Sequence, residues 1–249
     1  MDAIKDIIPE TKKSTVECDL HGVVNVFKTK VGDKWMGGKC GKCVTENDAK
    51  EAEKTFSYDS RLPKRFKRCT FDNYHVEEIK EQQLAYAMCD KYATTFKSNK
   101  GKGRIDVGGC LIMFGSCGTG KTHLASAMIN KITANGNSAL YAKVYDVVGD
   151  VKATWSNNGM TESEAMNVYT KPDLLVIDEV GMQFGSESEE LILFRILNRR
   201  YEDVKCTVIV SNLDDKGLTK YLGERLIDRL HESGGAEIGF NWGSHRRNK

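Results

Sequence analysis

Apolar residues are unevenly distributed along this chain. From residue 108 onward, short unbroken apolar runs alternate with stretches in which apolar positions recur every three or four residues. The runs at 110–114, 139–145, 173–179, 206–210 and 236–241 predict buried strands. Between them the spacing predicts helices. After Lys121, Leu124, Met128 and Ile132 fall four apart on one face, and Asn135-Gly136 stops the helix. Residues 146–155 form a second helix, and Thr161-Glu-Ser-Glu164 opens a third with a capping-box pattern. Residues 187–201, with Leu191, Phe194 and Leu197, and residues 217–230 complete the set. Upstream, Ile79, Leu84, Met88 and Tyr92 predict a helix over 77–96. Alternating strands and helices imply a parallel α/β sheet covered by helices on both faces.

The pattern changes before residue 69. Residues 1–16 are mixed and weakly apolar; Ile4, Ile7 and Ile8 could line one face of a short partner-binding helix, or the segment is a frayed terminus. Residues 17–47 read as a small module of their own. Residues 48–68 read as a linker, polar at first and then basic. In its last part, Arg61 to Arg68, five of eight residues are basic and none is acidic, which suits either a phosphate backbone or plain solvent. Residues 69–249 form the α/β domain.

Chemistry concentrates at the ends of three predicted strands. The first strand runs into Gly115-Ser116-Cys117-Gly118-Thr119-Gly120-Lys121-Thr122, which fits GxxxxGK[ST] between a strand and a helix. Glycines let backbone N–H groups turn inward around a phosphate, and the helix N-terminus adds donors. Lys121 reaches the outer phosphates of ATP, and Thr122 offers its hydroxyl to Mg²⁺. The strand at 173–179 ends in Asp178-Glu179, a carboxylate for the Mg²⁺ shell beside a general base for the attacking water. The strand at 206–210 ends in Ser211-Asn212, whose amide can sense the terminal phosphate. Trp155 is expected to be a packed aromatic, with base stacking as the alternative.

A second constellation lies in residues 17–47. Cys18 and His21 form a CxxH pair, and Cys40 and Cys43 a CxxC pair, with eighteen residues between. Such a Cys₃His set suits one tetrahedral Zn²⁺, and the spacer reads as a hairpin. The segment is too short for a core of its own, so a metal would supply stability.

Composition narrows the class. The chain has 249 residues, 29% of them charged and 40% hydrophobic, with a net charge of +2. No run approaches the ~18 apolar residues of a membrane span. Eight cysteines without a secretory signal point to reduced thiols or metal in the cytoplasm.

P-loop, acid pair, polar strand end and late arginines follow one another in an order that resembles the AAA+ ATPases. Phe71-Asp-Asn-Tyr74, LLVIDEVG at 174–181, SNLDDKGLTKYLGERLIDRL at 211–230 and FNWGSHR at 240–246 narrow the resemblance to the DnaC-type loaders of the bacterial replicative helicase. It covers about residues 69–249. It implies an AAA+ P-loop NTPase fold, to which the small N-terminal zinc-binding module read from residues 17–47 is added. It also implies sensor 1 at Asn212, a trans-acting arginine finger at Arg229 and sensor 2 at Arg246, with Phe71 and Tyr74 near the adenine. The partners it implies are a DnaB-type replicative helicase, single-stranded DNA and further copies of the chain, with no membrane. A transposition helper of the IstB type is the rival within the same clade.

Overall fold

A computed structural model describes residues 11–18, 22–31, 34–37, 60–97, 103–156, 159–182, 186–232 and 234–245. The chain divides into two units, residues 1–57 and 58–249.

The described part of the first unit is a three-stranded antiparallel sheet, β1 (Thr11–Cys18), β2 (Gly22–Val31) and β3 (Lys34–Gly37). The spacer between the two ligand pairs therefore forms the hairpin its alternation predicts. β1 shows residues 11–16 as strand, where the sequence reading of 1–16 was a short helix or a frayed end. Its partner β2 supplies the ladder, with Thr11 opposite Thr29 and Cys18 opposite Gly22, and that pairing is invisible to local propensity. The boundary drawn at 16/17 falls inside this strand. Ile4, Ile7, Ile8, His21, Cys40, Cys43 and residues 45–59 lie outside the described residues.

The second unit is built on a five-stranded parallel sheet of order β5-β6-β7-β4-β8. Its strands are β4 (Leu111–Gly115), β5 (Ala139–Lys143), β6 (Leu174–Val180), β7 (Cys206–Ser211) and β8 (Ala236–Phe240). Two apolar layers cover it, as the near-continuous burial of its strands requires. One layer holds α1 (Lys80–Thr94) and α2 (Lys121–Ala134). The other holds α3 (Val144–Ala153), α4 (Glu162–Thr170), α5 (Glu187–Glu202), α6 (Asp215–Leu222) and α7 (Glu224–Glu232). α4 opens with the expected capping box, Thr161 and Glu164 each bonding the other's backbone N–H.

Three differences from the sequence reading have local causes. The helix expected over 217–230 is two helices, because Gly223 between them takes a φ of 82°. Leu84 and Leu191, placed on apolar faces by their spacing, are exposed. α1 packs through Gln82, Ala85, Cys89, Ala93 and Tyr92, the last of these as its spacing predicts. The basic segment 61–68 belongs to the second unit rather than to a linker. Leu62 is buried in the α1–α2 layer, and the Tyr141 N–H of β5 donates to Ser60 O at 2.8 Å.

Candidate nucleotide site

The P-loop connects the end of β4 to the start of α2, and three of its glycines have positive φ. Two of them allow close approach by a single segment, residues 240–245. A Cβ on Gly115 would sit 2.4 Å from Phe240 O, and one on Gly118 would sit 2.0 Å from Ser244 Oγ. The same segment bonds to the loop repeatedly. Ser116 N donates to Phe240 O at 3.3 Å, Trp242 Nε1 to Thr119 O at 3.0 Å, and His245 N to Gly118 O at 3.0 Å. Sequence reasoning took only Arg246 from this stretch, and Arg246 lies outside the described residues. The aromatic pair Phe240 and Trp242, at the end of β8 and two residues beyond it, was the available signal.

Lys121 is 4% exposed, and its Nζ donates to Gly115 O and Ser116 O at 2.7 Å each and faces Thr119 Oγ1 at 3.4 Å. The ammonium is therefore already positioned inside the loop, where a phosphate would compete for it. Cys117 is exposed on the loop, whereas Cys69, Cys89, Cys110 and Cys206 are buried.

Asp178 sits on β6 with three donors around it. Thr122 Oγ1 lies 2.9 Å from its Oδ2, Tyr141 Oη 2.8 Å from the same oxygen, and Glu179 N 2.8 Å from Oδ1. Burial, with the Asp178 charge and hydrogen bond behind it, pushes the Tyr141 phenol well above its usual range, so it stays a donor. Thr122 and Asp178 thus place a hydroxyl and a carboxylate side by side at the P-loop, the donor set that Mg²⁺ takes.

Glu179 is a non-glycine residue at φ 63°, inside a register shift where the β6–β7 pairing slips between Ile177 and Val180. Such strain concentrates at functional sites. Here it turns the carboxylate toward β5, where Lys143 Nζ meets Glu179 Oε1 at 3.0 Å. Lys143 stands opposite Asp178 in the ladder. Burial alone would lower the Lys143 pKa, but the hydrogen bond and charge of Glu179 outweigh it and hold it above its usual value. Lys143 was not among the residues read from the sequence.

Asn212 follows β7, between the strands that carry Asp178 and the P-loop. Its Nδ2 lies 3.3 Å from Met182 Sδ, and neighbouring Ser211 Oγ donates to Val180 O at 2.7 Å, tying the ends of β6 and β7 together. Tyr74 is buried against the loop. Its Oη is 3.3 Å from Thr119 O, and its ring abuts Gly120 and meets His123 edge-on. Phe71 sits farther along α2, with Tyr86 edge-on and Lys131 Nζ 5.4 Å from its ring. Lys131 is about 15 Å down the helix from Lys121 at ~1.5 Å per residue. Arg229 on α7 lies over the Tyr201 ring at 5.4 Å, and among the described contacts none joins it to the P-loop of its own chain. Trp155 corrects the packed-aromatic expectation. It is 58% exposed in the turn after α3, its indole N–H held by Glu162 at 3.0 Å. Lys64, Arg65, Lys67 and Arg68 are exposed on a turn fastened to α2 by Asn130, and among the described residues no acid pairs with them.

A glycine loop that can wrap a phosphate, with a strand-borne carboxylate against its threonine, belongs to a P-loop NTPase, and the strand order is that of the AAA+ class. The IstB-like ATP binding protein family matches residues 52–236. The replicative helicase loader DnaC of Buchnera aphidicola subsp. Baizongia pistaciae is 38% identical over 183 residues, covering 73% of this chain and 71% of that protein. DnaC of Escherichia coli K12 is 34% identical over 201 residues, covering 81% and 78%. The crystal structure of a DnaC helicase loader superposes with a TM-score of 0.62 at 22% identity, over 71% of this chain and 99% of that one. The chain belongs to the IstB/DnaC family of ATP-binding AAA+ proteins.

Proposed function

We infer that this protein is an ATP-dependent loader of the replicative DNA helicase onto single-stranded DNA, working as an ATPase in the cytoplasm. The observation that carries the reading is kinship at 34–38% identity with replicative helicase loaders, in a chain whose nucleotide site is complete from Gly115 to Glu179. It favours the loader over a transposition helper. Asp178 and Thr122 would hold Mg²⁺ at the phosphates. Glu179 would activate water, and Asn212 would sense the γ-phosphate. Arg229, stacked on Tyr201, would reach the nucleotide of a neighbouring copy, which makes the active form an oligomer. Arg246 would serve as sensor 2, and Tyr74, with Phe71 behind it, would border the base. The exposed Trp155 indole and the exposed basic turn at 64–68 are the candidate strand contacts, a stacking platform and a phosphate track.

Complex formation with the host replicative helicase, followed by size exclusion with and without ATP, tests the reading. Wild type is expected to form a complex whose stoichiometry or lifetime depends on nucleotide. Lys121→Ala is expected to form one that does not respond. No complex in any nucleotide, from protein that still binds ATP, would transfer the assignment to the transposition helper.

The N-terminal unit would hold Zn²⁺ through Cys18, His21, Cys40 and Cys43, and grip the helicase. Two backbone facts support this. Cys18 pairs with Gly22, so the CxxH pair closes the β1–β2 hairpin. β3 runs antiparallel to β2, so it heads back toward that same end. Purified protein is expected to carry one zinc per chain by elemental analysis. Cys18→Ser is expected to lose it and weaken the helicase complex while sparing ATP binding. An unchanged zinc content would remove the metal from the assignment.

A further inference from the structure

Gln82 is the polar side chain on the buried face of α1, and it is 0% exposed. Its Oε1 accepts from Glu77 N at 2.9 Å. A backbone N–H can only donate, so this bond fixes which end of the amide is oxygen. The nitrogen end then donates to His75 O at 3.1 Å and faces His245 Nε2 at 3.0 Å. An amide nitrogen has no lone pair to offer, so His245 Nε2 must be the acceptor and carry no proton. The proton of the neutral ring is on Nδ1, 3.3 Å from Glu77 Oε1. The geometry selects one tautomer and one charge state out of three.

The backbone of the same residue reaches the P-loop. His245 N donates to Gly118 O, Ser244 fills the space beside Gly118, and Trp242 Nε1 holds Thr119 O. The histidine ring is thus the far anchor of a segment whose near side shapes the phosphate loop. We propose that Gln82 and His245 are positioning residues of the ATP site: Gln82 retains neutral His245, and through it seats residues 240–245 on the P-loop in the form that binds ATP. The proposal rests on the reading of this loop as the ATP site.

A second proton on His245 would point an N–H at the Gln82 N–H, and the anchor would open. The charged and titratable groups around the ring do not all push the same way. Glu77 on the approach to α1 attracts an imidazolium, whereas the Gln82 amide opposes it. Cys117 flanks Gly118 in the loop, and Arg246 follows in the chain. Tyr74, next to Gln82, is kept neutral by burial. Anchoring requires an Nε2 without a proton, so protonation of the ring is expected to weaken ATP binding.

Titration of a fluorescent ATP analogue at pH 7.5 and 5.5 tests this with wild type, His245→Asn and Gln82→Glu. The titration of the nucleotide's own phosphate is common to all three and cancels in the comparison. Wild type is expected to lose about tenfold in affinity across the range, beyond that common change. His245→Asn cannot titrate there; it is expected to bind more weakly than wild type at pH 7.5 and to show only the common change. Gln82→Glu offers an acceptor to Nε2–H, so acid is expected to strengthen its binding relative to wild type. The same pH profile in wild type and His245→Asn, or equal affinity at pH 7.5, would overturn the proposal. Because His245 is partly exposed near the chain end, that variant remains readable even if the buried Gln82→Glu fails to fold. Absence of ATP binding by wild type itself would overturn the ATP-site reading instead, together with the positioning role built on it.

Discussion

Glu179→Gln is expected to bind ATP with wild-type affinity and to hydrolyse it about 10²–10⁴ times more slowly, the usual worth of a positioned general base. The amide keeps the shape of the carboxylate and its place on β6. On the proposed roles, affinity would depend on the P-loop and on Thr122 with Asp178, none of which contacts the Glu179 side chain through a described bond. Turnover depends on a group able to take a proton, and glutamine is not one. The Lys143–Glu179 pair adds a second arm. While Lys143 engages the carboxylate, Glu179 is directed at β5 and not at a water above the phosphates. Lys143→Ala is therefore expected to raise basal turnover in wild type and to do nothing in the Glu179→Gln background. Single-turnover measurements with nucleotide affinity determined in parallel check both. A Glu179→Gln protein that hydrolyses ATP at the wild-type rate would remove the base role.

Arg200→Ala is expected to destabilise the fold by about 3–5 kcal/mol, the scale for stranding buried polar groups beside a cavity. Arg200 is 0% exposed, which is rare for a guanidinium. All three of its nitrogens are bonded. Nε bonds Thr207 Oγ1 at 3.0 Å, Nη1 bonds the carbonyls of Tyr169, Thr170 and Pro172 at 2.9, 3.1 and 2.9 Å, and Nη2 bonds Cys206 O. One side chain thus joins the end of α5 to the chain entering β6 and β7. Burial pulls its pKa down to about 10, and it remains charged at neutral pH. Alanine would leave four carbonyls without this donor in a closed interior. Lysine would restore the charge but not the fork, so Arg200→Lys is expected to recover only part of the loss. Denaturant midpoints at constant m-value measure this. A shift worth under about 1 kcal/mol would show that the carbonyls find water instead.

The site was legible where chemistry and local pattern coincide. The P-loop announces itself because glycine spacing, a preceding apolar run and a following helical face occur within twenty residues. Asp178 and Glu179 stood out because two adjacent acids close an otherwise buried apolar strand. The sheet followed from the same alternation. What escaped depends on pairing at a distance. Gln82 and His245 are 163 positions apart, and neither resembles a site residue alone. β1 has a polar sequence that becomes a strand only beside β2. Lys143 reads as a strand-end cation until the register sets it opposite Asp178. Arg200 reads as half of a basic helix end, and the structure buries it because the carbonyls it serves lie around the starts of two strands. The basic run at 61–68 gave its charge but not its anchors, Leu62 and Asn130.

The bond from Tyr141 N to Ser60 O has a practical consequence for dividing the protein. β5 is the outer strand of the sheet, and an uncovered outer strand offers its free N–H groups to any other chain that can pair with it. Ser60 occupies one of those donors, and the segment that follows is held down by Leu62. A fragment trimmed to the first recognisable motif, at Phe71, would keep the P-loop and the Asp178–Glu179 strand and yet uncover this edge to non-native strand pairing. Cutting at Tyr58, where the two units separate, keeps the guard in place.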